Sequence, residues 1–231
     1  MTTTPPPLAA DLNDGLKRLK MAAMRRLAPE LLVTARTRMR NAAFPVAKTL
    51  DEFDVAASSI PQPTFDYLAS LEWIRAAENT CLIGPAGTGK SHVLVALGVA
   101  AVHAGHKVRY FTAAELVETL YRALADNSVG KVIEALLRND LIICDELGFA
   151  PLDDTGAQLL FRFVAAAYER RSLGIGSHWP FESWGRFLPE HTTAVSLLDR
   201  LLHHCHVVVT DGDSYRMKQA RARGGAPRKT S

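Results

Sequence analysis

The chain has 231 residues, 48% apolar and 22% charged, a composition that fits a globular protein with a substantial core and excludes a disordered or fibrous one. No run of about 18 uncharged apolar residues occurs, and the opening MTTTPPPLAADLNDG lacks the regions of a secretory signal, so neither a spanning helix nor secretion is expected. The formal charge of +3 is unevenly spread: residues 1–48 hold nine Lys or Arg against three acids, residues 216–231 hold six and no acid, and the body between them is net −9.

Basic ends on an acidic body suit an anionic polymer, because clustered Lys and Arg displace counterions from phosphates, and they equally suit a solvated arm and tail. Cys81, Cys144 and Cys205 lie far apart with no CxxC pair, as expected of free thiols in a reducing cytoplasm.

Thr3 to Pro7 is too proline-rich to order. From Leu12 to Met39, Leu16, Leu19, Ala23 and Leu27 fall at helical spacing, and Pro29 is expected to split the segment into two short basic helices. FPVAKTLDEFDVAASSIPQPTFD, punctuated by Pro45, Pro61 and Pro63, reads as an extended connector. The arm-to-core boundary falls there, giving a partly disordered basic helical arm over 1–48, a core over 49–217 and a basic disordered tail over 218–231.

From Asn79 onward apolar strands alternate with amphipathic helices: TCLIG, KVRYF, DLIICDE, SLGIGSH and HVVVT as strands, with helices between them. Thr112 and Glu115 form a capping box opening the helix that runs to about Leu124. This alternation predicts an α/β fold with a parallel sheet and helices on both faces.

GPAGTGKS, comprising Gly84, Pro85, Ala86, Gly87, Thr88, Gly89, Lys90 and Ser91, matches GxxxxGK[ST] between a strand and a long apolar helix that continues at His92. Its glycines let backbone N–H groups turn inward around phosphate oxygens, and the helix N-terminus adds its positive dipole. Lys90 suits the β- and γ-phosphates of ATP, and Ser91 suits Mg²⁺. LIICDE then places Asp145 and Glu146, 55 positions after Lys90, where a buried strand should emerge beside the loop. Asp145 is the expected Mg²⁺ holder through water, and Glu146 the group that orients and deprotonates the attacking water. A transferring γ-phosphoryl group also needs a further cation, for which Arg200, Arg170 and Arg171 are the candidates.

Taken together, LIGPAGTGKSH, HAGHKVRYFTAAELV, RNDLIICDELGFAPLD, GAQLLFRFVAAAYERRS and LLDRLLHHCHVV followed by GDSYR closely resemble the IstB-type transposition helper ATPases of insertion sequences, relatives of the DnaC helicase loaders in the AAA+ class. The resemblance covers about residues 50–217. It implies a P-loop AAA+ core and a self-assembling ATPase that binds duplex DNA with little sequence preference and recruits a transposase. ATP is bound between subunits in such proteins, which fits Arg200 as a finger supplied in trans.

Two features depart from the family pattern. The strand that usually ends Thr-Ser-Asn reads Gly176, Ser177, His178, so His178 takes the place of the sensor Asn. The N-terminal helical region looks short, and a helical lid after the last strand is not expected. Gly174 and Gly176 leave little side chain to pack, so that strand is expected to be locally loose.

His203, His204, Cys205 and His206 are read as a helix C-terminus, where His suits the dipole, and not as a metal site. Consecutive residues point in different directions, and no second pair supplies the remaining ligands. Three other functions share parts of this pattern: a DnaC-like helicase loader, a small-molecule kinase using the same loop, and a non-hydrolysing nucleotide binder.

Overall fold

The computed structural model describes residues 7–212 apart from 190, together with 5, 214, 215 and 217; the side chains of 191–194 and the tail predicted over 218–231 lie outside the described residues. A five-stranded parallel sheet in the order β2-β3-β4-β1-β5 forms the middle layer. Its strands are β1 (Asn79–Ile83), β2 (Val108–Thr112), β3 (Leu141–Leu147), β4 (Ser172–Ser177) and β5 (Cys205–Val209). Strands β1 and β4 are buried at every position, and β3 at every position except Glu146, which is why they read as unbroken apolar runs.

On one face lie α2 (Ala22–Ala42), α3 (Gln62–Ser70), α4 (Glu72–Arg75) and α5 (Lys90–His103). The other face carries α6 (Ala113–Ala125), α7 (Val129–Leu136), α8 (Asp154–Ala167), a 3-10 turn (Phe181–Arg186) and α9 (His191–Leu202). Helix α5 is apolar nearly all round because it is sandwiched between the sheet and α2–α3. The capping box that opens α6 forms as expected: Glu115 N donates to Thr112 Oγ1 at 3.2 Å, and Thr112 N donates to Glu115 Oε2 at 2.8 Å.

The arm departs from expectation. Its break falls at Lys20, not at Pro29: α1 (Ala10–Arg18) ends in a Schellman turn with Lys20 at φ 56°, where Lys20 N bonds Lys17 O and Met21 N bonds Leu16 O. Helix α2 then runs straight past Pro29, which forfeits one backbone donor while intact turns continue on both sides. The end of α2 docks on the core. Ala42 is fully buried, Arg109 donates to Asn41 O at 2.8 Å, and Arg38 bonds Gly105 O. The connector is also shorter than expected, because α3 starts at Gln62 with Pro61 before it and Pro63 in its first turn, where a missing N–H costs nothing.

Strand β4 is tightly packed at the centre of the sheet, contrary to the loose strand its glycines suggest. A Cβ on Gly174 would touch Leu94 Cδ2 at 3.3 Å, and one on Gly176 would overlap Asp145 Oδ1 and press Leu94 Cδ1 at 3.0 Å. The glycines make room for side chains that cross from α5 and β3. Among the described residues, no helix is long and apolar enough to cross a membrane.

Candidate functional site

The C-terminal ends of β1, β3 and β4 meet at one edge of the sheet, and the phosphate loop caps β1 there. Gly84 has φ 149° and its Cβ position is filled by Thr210, while Gly89, at φ 97°, passes within 2.8 Å of Phe53 as measured from an added Cβ. Gly84 N donates to Ser177 O at 3.1 Å, tying the loop to the end of β4. Thr88 and Thr210 hydroxyls meet at 2.7 Å, and Thr210 N donates to Ile83 O at 2.6 Å. Tyr215 N donates to Gly87 O at 3.0 Å. Lys90, at the first position of α5, is buried and donates from Nζ to Gly84 O and Pro85 O, each at 2.6 Å. Ser91 is exposed beside it, and His92 packs against Phe53 at 5.3 Å between ring centroids.

Asp145 and Glu146 occupy opposite environments one residue apart. Asp145 is buried, and its carboxylate accepts from Tyr110 Oη at 3.1 Å and Glu146 N at 2.9 Å. Burial, then the Asp145 charge, push the Tyr110 hydroxyl far above the usual phenol range, so it is held as a donor. Glu146 sits at φ 60° where the β3–β4 register slips between Cys144 and Leu147, a bulge that turns its side chain out to solvent.

His178 follows β4 directly. Its ring lies 4.8 Å from Trp179 and 6.5 Å from Phe149, centroid to centroid. Burial, then the Lys90 charge, hold its pKa below the ordinary 6.5, so it is neutral at pH 7 and lies within the field of the phosphate-loop lysine.

The arginine candidates are not brought to this edge. Arg170 and Arg171 precede β4 at the opposite end of the sheet, where Arg170 grips Glu134 through two bonds of 3.0 Å and Arg171 Nε donates to Leu137 O at 2.7 Å. Arg200, near the end of α9, lies over the Phe161 ring at 5.0 Å and donates to Ser196 O. It is therefore held against α8.

Sequence reasoning missed Tyr110, Thr210 and Phe53, which hold Asp145 and the loop from distant parts of the chain. It also dismissed the histidine run. In the fold, His203 and His204 bring ligand atoms within 4.8 Å of a Glu169 carboxylate oxygen, while His206 bonds Glu78 at 2.6 Å instead. Cys144 is fully buried with its thiol pushed up to about 12, which fits the inert thiol expected.

Comparison with known proteins bears on this geometry. A family model described as IstB-like ATP binding protein matches residues 17–223. A Pseudomonas aeruginosa protein named for ATP binding in insertion sequence IS21 is 36% identical over 84% of this chain and 74% of its own. A Geobacillus stearothermophilus protein named likewise for insertion sequence IS5376 is 34% identical over 77% of this chain and 71% of its own. Among solved structures, AMPPCP-bound DnaA from Aquifex aeolicus superposes with a TM-score of 0.60 at 18% identity, covering 78% of this chain; the chain spans a little over half of that protein, 56%. The DnaC helicase loader superposes with a TM-score of 0.51 at 17% identity, over 74% of this chain and 96% of its own. These two likenesses establish the α/β fold of AAA+ P-loop proteins.

Proposed function

The chain belongs to the IstB-like ATP-binding protein family, and from that premise we propose that it is an ATP-hydrolysing helper of transposition that assembles on duplex DNA and recruits a transposase. The observation that carries the hydrolytic part is the pairing of Asp145, buried and doubly hydrogen-bonded, with Glu146, turned outward beside a complete phosphate loop.

In this reading the backbone N–H groups from Gly87 to Ser91 and the N-terminus of α5 hold the phosphates. Lys90 exchanges its two loop carbonyls for phosphate oxygens, so its charge is already aimed at the cradle. The hydroxyl of Ser91 and the carboxylate of Asp145 are hard oxygen donors that fit Mg²⁺, which when bound neutralises phosphate charge. Glu146 orients the attacking water and takes its proton. His178, neutral, donates a hydrogen bond toward the γ-phosphate as an Asn would. Arg200 serves a neighbouring subunit's nucleotide, so full turnover requires a homo-oligomer.

The basic arm and the residues after 215 supply the phosphate contacts to DNA, without base readout. A helicase-loader role is the second reading. It is weaker because sequence identity to the insertion-sequence proteins is about twice that to the DnaC loader. The test is gel-shift of duplex DNA across a salt series with and without ATP, alongside co-purification with the transposase of the same element. Duplex binding that falls with salt is expected; its absence in every nucleotide state sinks the proposal, and capture of a replicative helicase in place of a transposase favours the loader.

A further inference from the structure

At the edge of the sheet remote from the phosphate loop, two turns run side by side. The α8–β4 turn carries Tyr168 and Glu169, and the α9–β5 turn carries His203 and His204. All three potential ligands are exposed, and one donor atom from each lies within 4.8 Å of the others. His204 Nε2 stands 3.6 Å from Glu169 Oε1, and the two imidazole centroids are 4.1 Å apart at 67°. Tyr168 Oη bonds His203 Nδ1 at 2.9 Å, a contact that restrains the ring and leaves Nε2 as the nitrogen for a ligand.

The turns are held in place by one buried residue. Asn79 Nδ2 donates to Leu201 O at 2.9 Å, Asn79 Oδ1 accepts from Leu173 N at 2.9 Å, and Asn79 N donates to His204 O at 2.7 Å. Glu169 itself is held at φ 54°, an arrangement in which glycine or asparagine would be cheaper.

We propose that Glu169, His203 and His204 form a binding site for a divalent transition metal, zinc above all. Two imidazoles and one carboxylate favour zinc over magnesium or calcium, and three protein ligands leave a fourth position open to water or to a partner's side chain. A bound ion would join the α8–β4 and α9–β5 turns, three residues beyond Arg200.

The experiment is titration of the metal-free full-length protein with Zn²⁺ against a chromophoric chelator, followed by Co²⁺ absorption spectra. One ion per chain is expected. Glu169→Gln, His203→Ala and His204→Ala should each weaken it at least tenfold, and Tyr168→Phe, which keeps every ligand, should weaken it by about tenfold. ATP binding should be unchanged in all four, since the sites lie at opposite edges of the sheet, so failure here leaves the nucleotide reading standing. Thermal unfolding checks that each variant folds, and the exposed Glu169→Gln is the variant least able to disturb packing. Zinc uptake that persists in the His203→Ala/His204→Ala double variant, or that is lost only on Asp145→Asn, overturns the proposal.

Discussion

Gly176→Ala separates two explanations of the glycines in β4. If they only loosen the strand, alanine at 174 and at 176 should each stabilise the protein by about 0.4–1 kcal/mol by restricting the unfolded chain. The packing predicts a different pattern. At 174 the added methyl meets Leu94 and Ile143 at 3.3 and 3.4 Å, so Gly174→Ala should be close to neutral. At 176 it overlaps Asp145 Oδ1, and the carboxylate must swing away from its bonds to Tyr110 Oη and Glu146 N. Overpacking a core site costs about 1–3 kcal/mol, and a hydrogen bond to a charged group contributes about 1.5–3 kcal/mol, so a loss of about 2.5–6 kcal/mol is expected. For a chain of this size that is a fall in Tm of about 5–24 °C. Scanning calorimetry of the two variants, with ATP turnover measured in parallel, reads both effects. The reasoning is refuted if Gly176→Ala melts at or above the parent and turns over ATP normally.

Three further outcomes follow from the same geometry. Tyr110→Phe removes one donor from the buried Asp145 carboxylate and should cost about 1.5–3 kcal/mol in urea unfolding, with an unchanged midpoint counting against the role assigned to Tyr110. Glu146→Gly should abolish turnover yet raise Tm by about 2–4 °C, because a left-handed backbone costs a non-glycine residue about 1 kcal/mol, whereas Glu146→Gln should lose turnover with no thermal gain. His178→Ala should slow turnover more than it weakens ATP binding. Because the folded-state pKa of His178 is depressed, its contribution to stability is complete above about 6.5 and is lost as pH falls from there through the lower folded value. A parent-minus-His178→Ala stability difference that is flat from pH 7 to 5 would contradict that environment.

Much of the geometry of the candidate site was legible because its requirements are local. The glycine spacing of the loop is a backbone condition met by eight consecutive residues, and the strand–loop–helix context is read from apolar periodicity. What was not legible depends on partners far away in sequence. Tyr110 meets Asp145 across 35 positions, and Thr210 meets Thr88 across 122. The glycines of β4 looked like slack because sequence shows the missing side chain and hides the neighbour occupying its space. Pro29 looked like a break, whereas the break came at Lys20, a residue with no punctuating character. The histidine run was judged by neighbours along the chain, whereas Glu169, which approaches His203 and His204, lies on another turn.

The bond from Tyr215 N to Gly87 O gives the chain past β5 a mechanical meaning. Ser214 crowds Gly87, and Thr210 fills the space behind Gly84, so the start and the middle of the phosphate loop lean on the segment that leaves the core. Within three residues of Tyr215 the sequence begins its last basic run. Displacing Thr210, Ser214 or Tyr215 would therefore disturb the loop directly, and a shift in the loop would press back on all three.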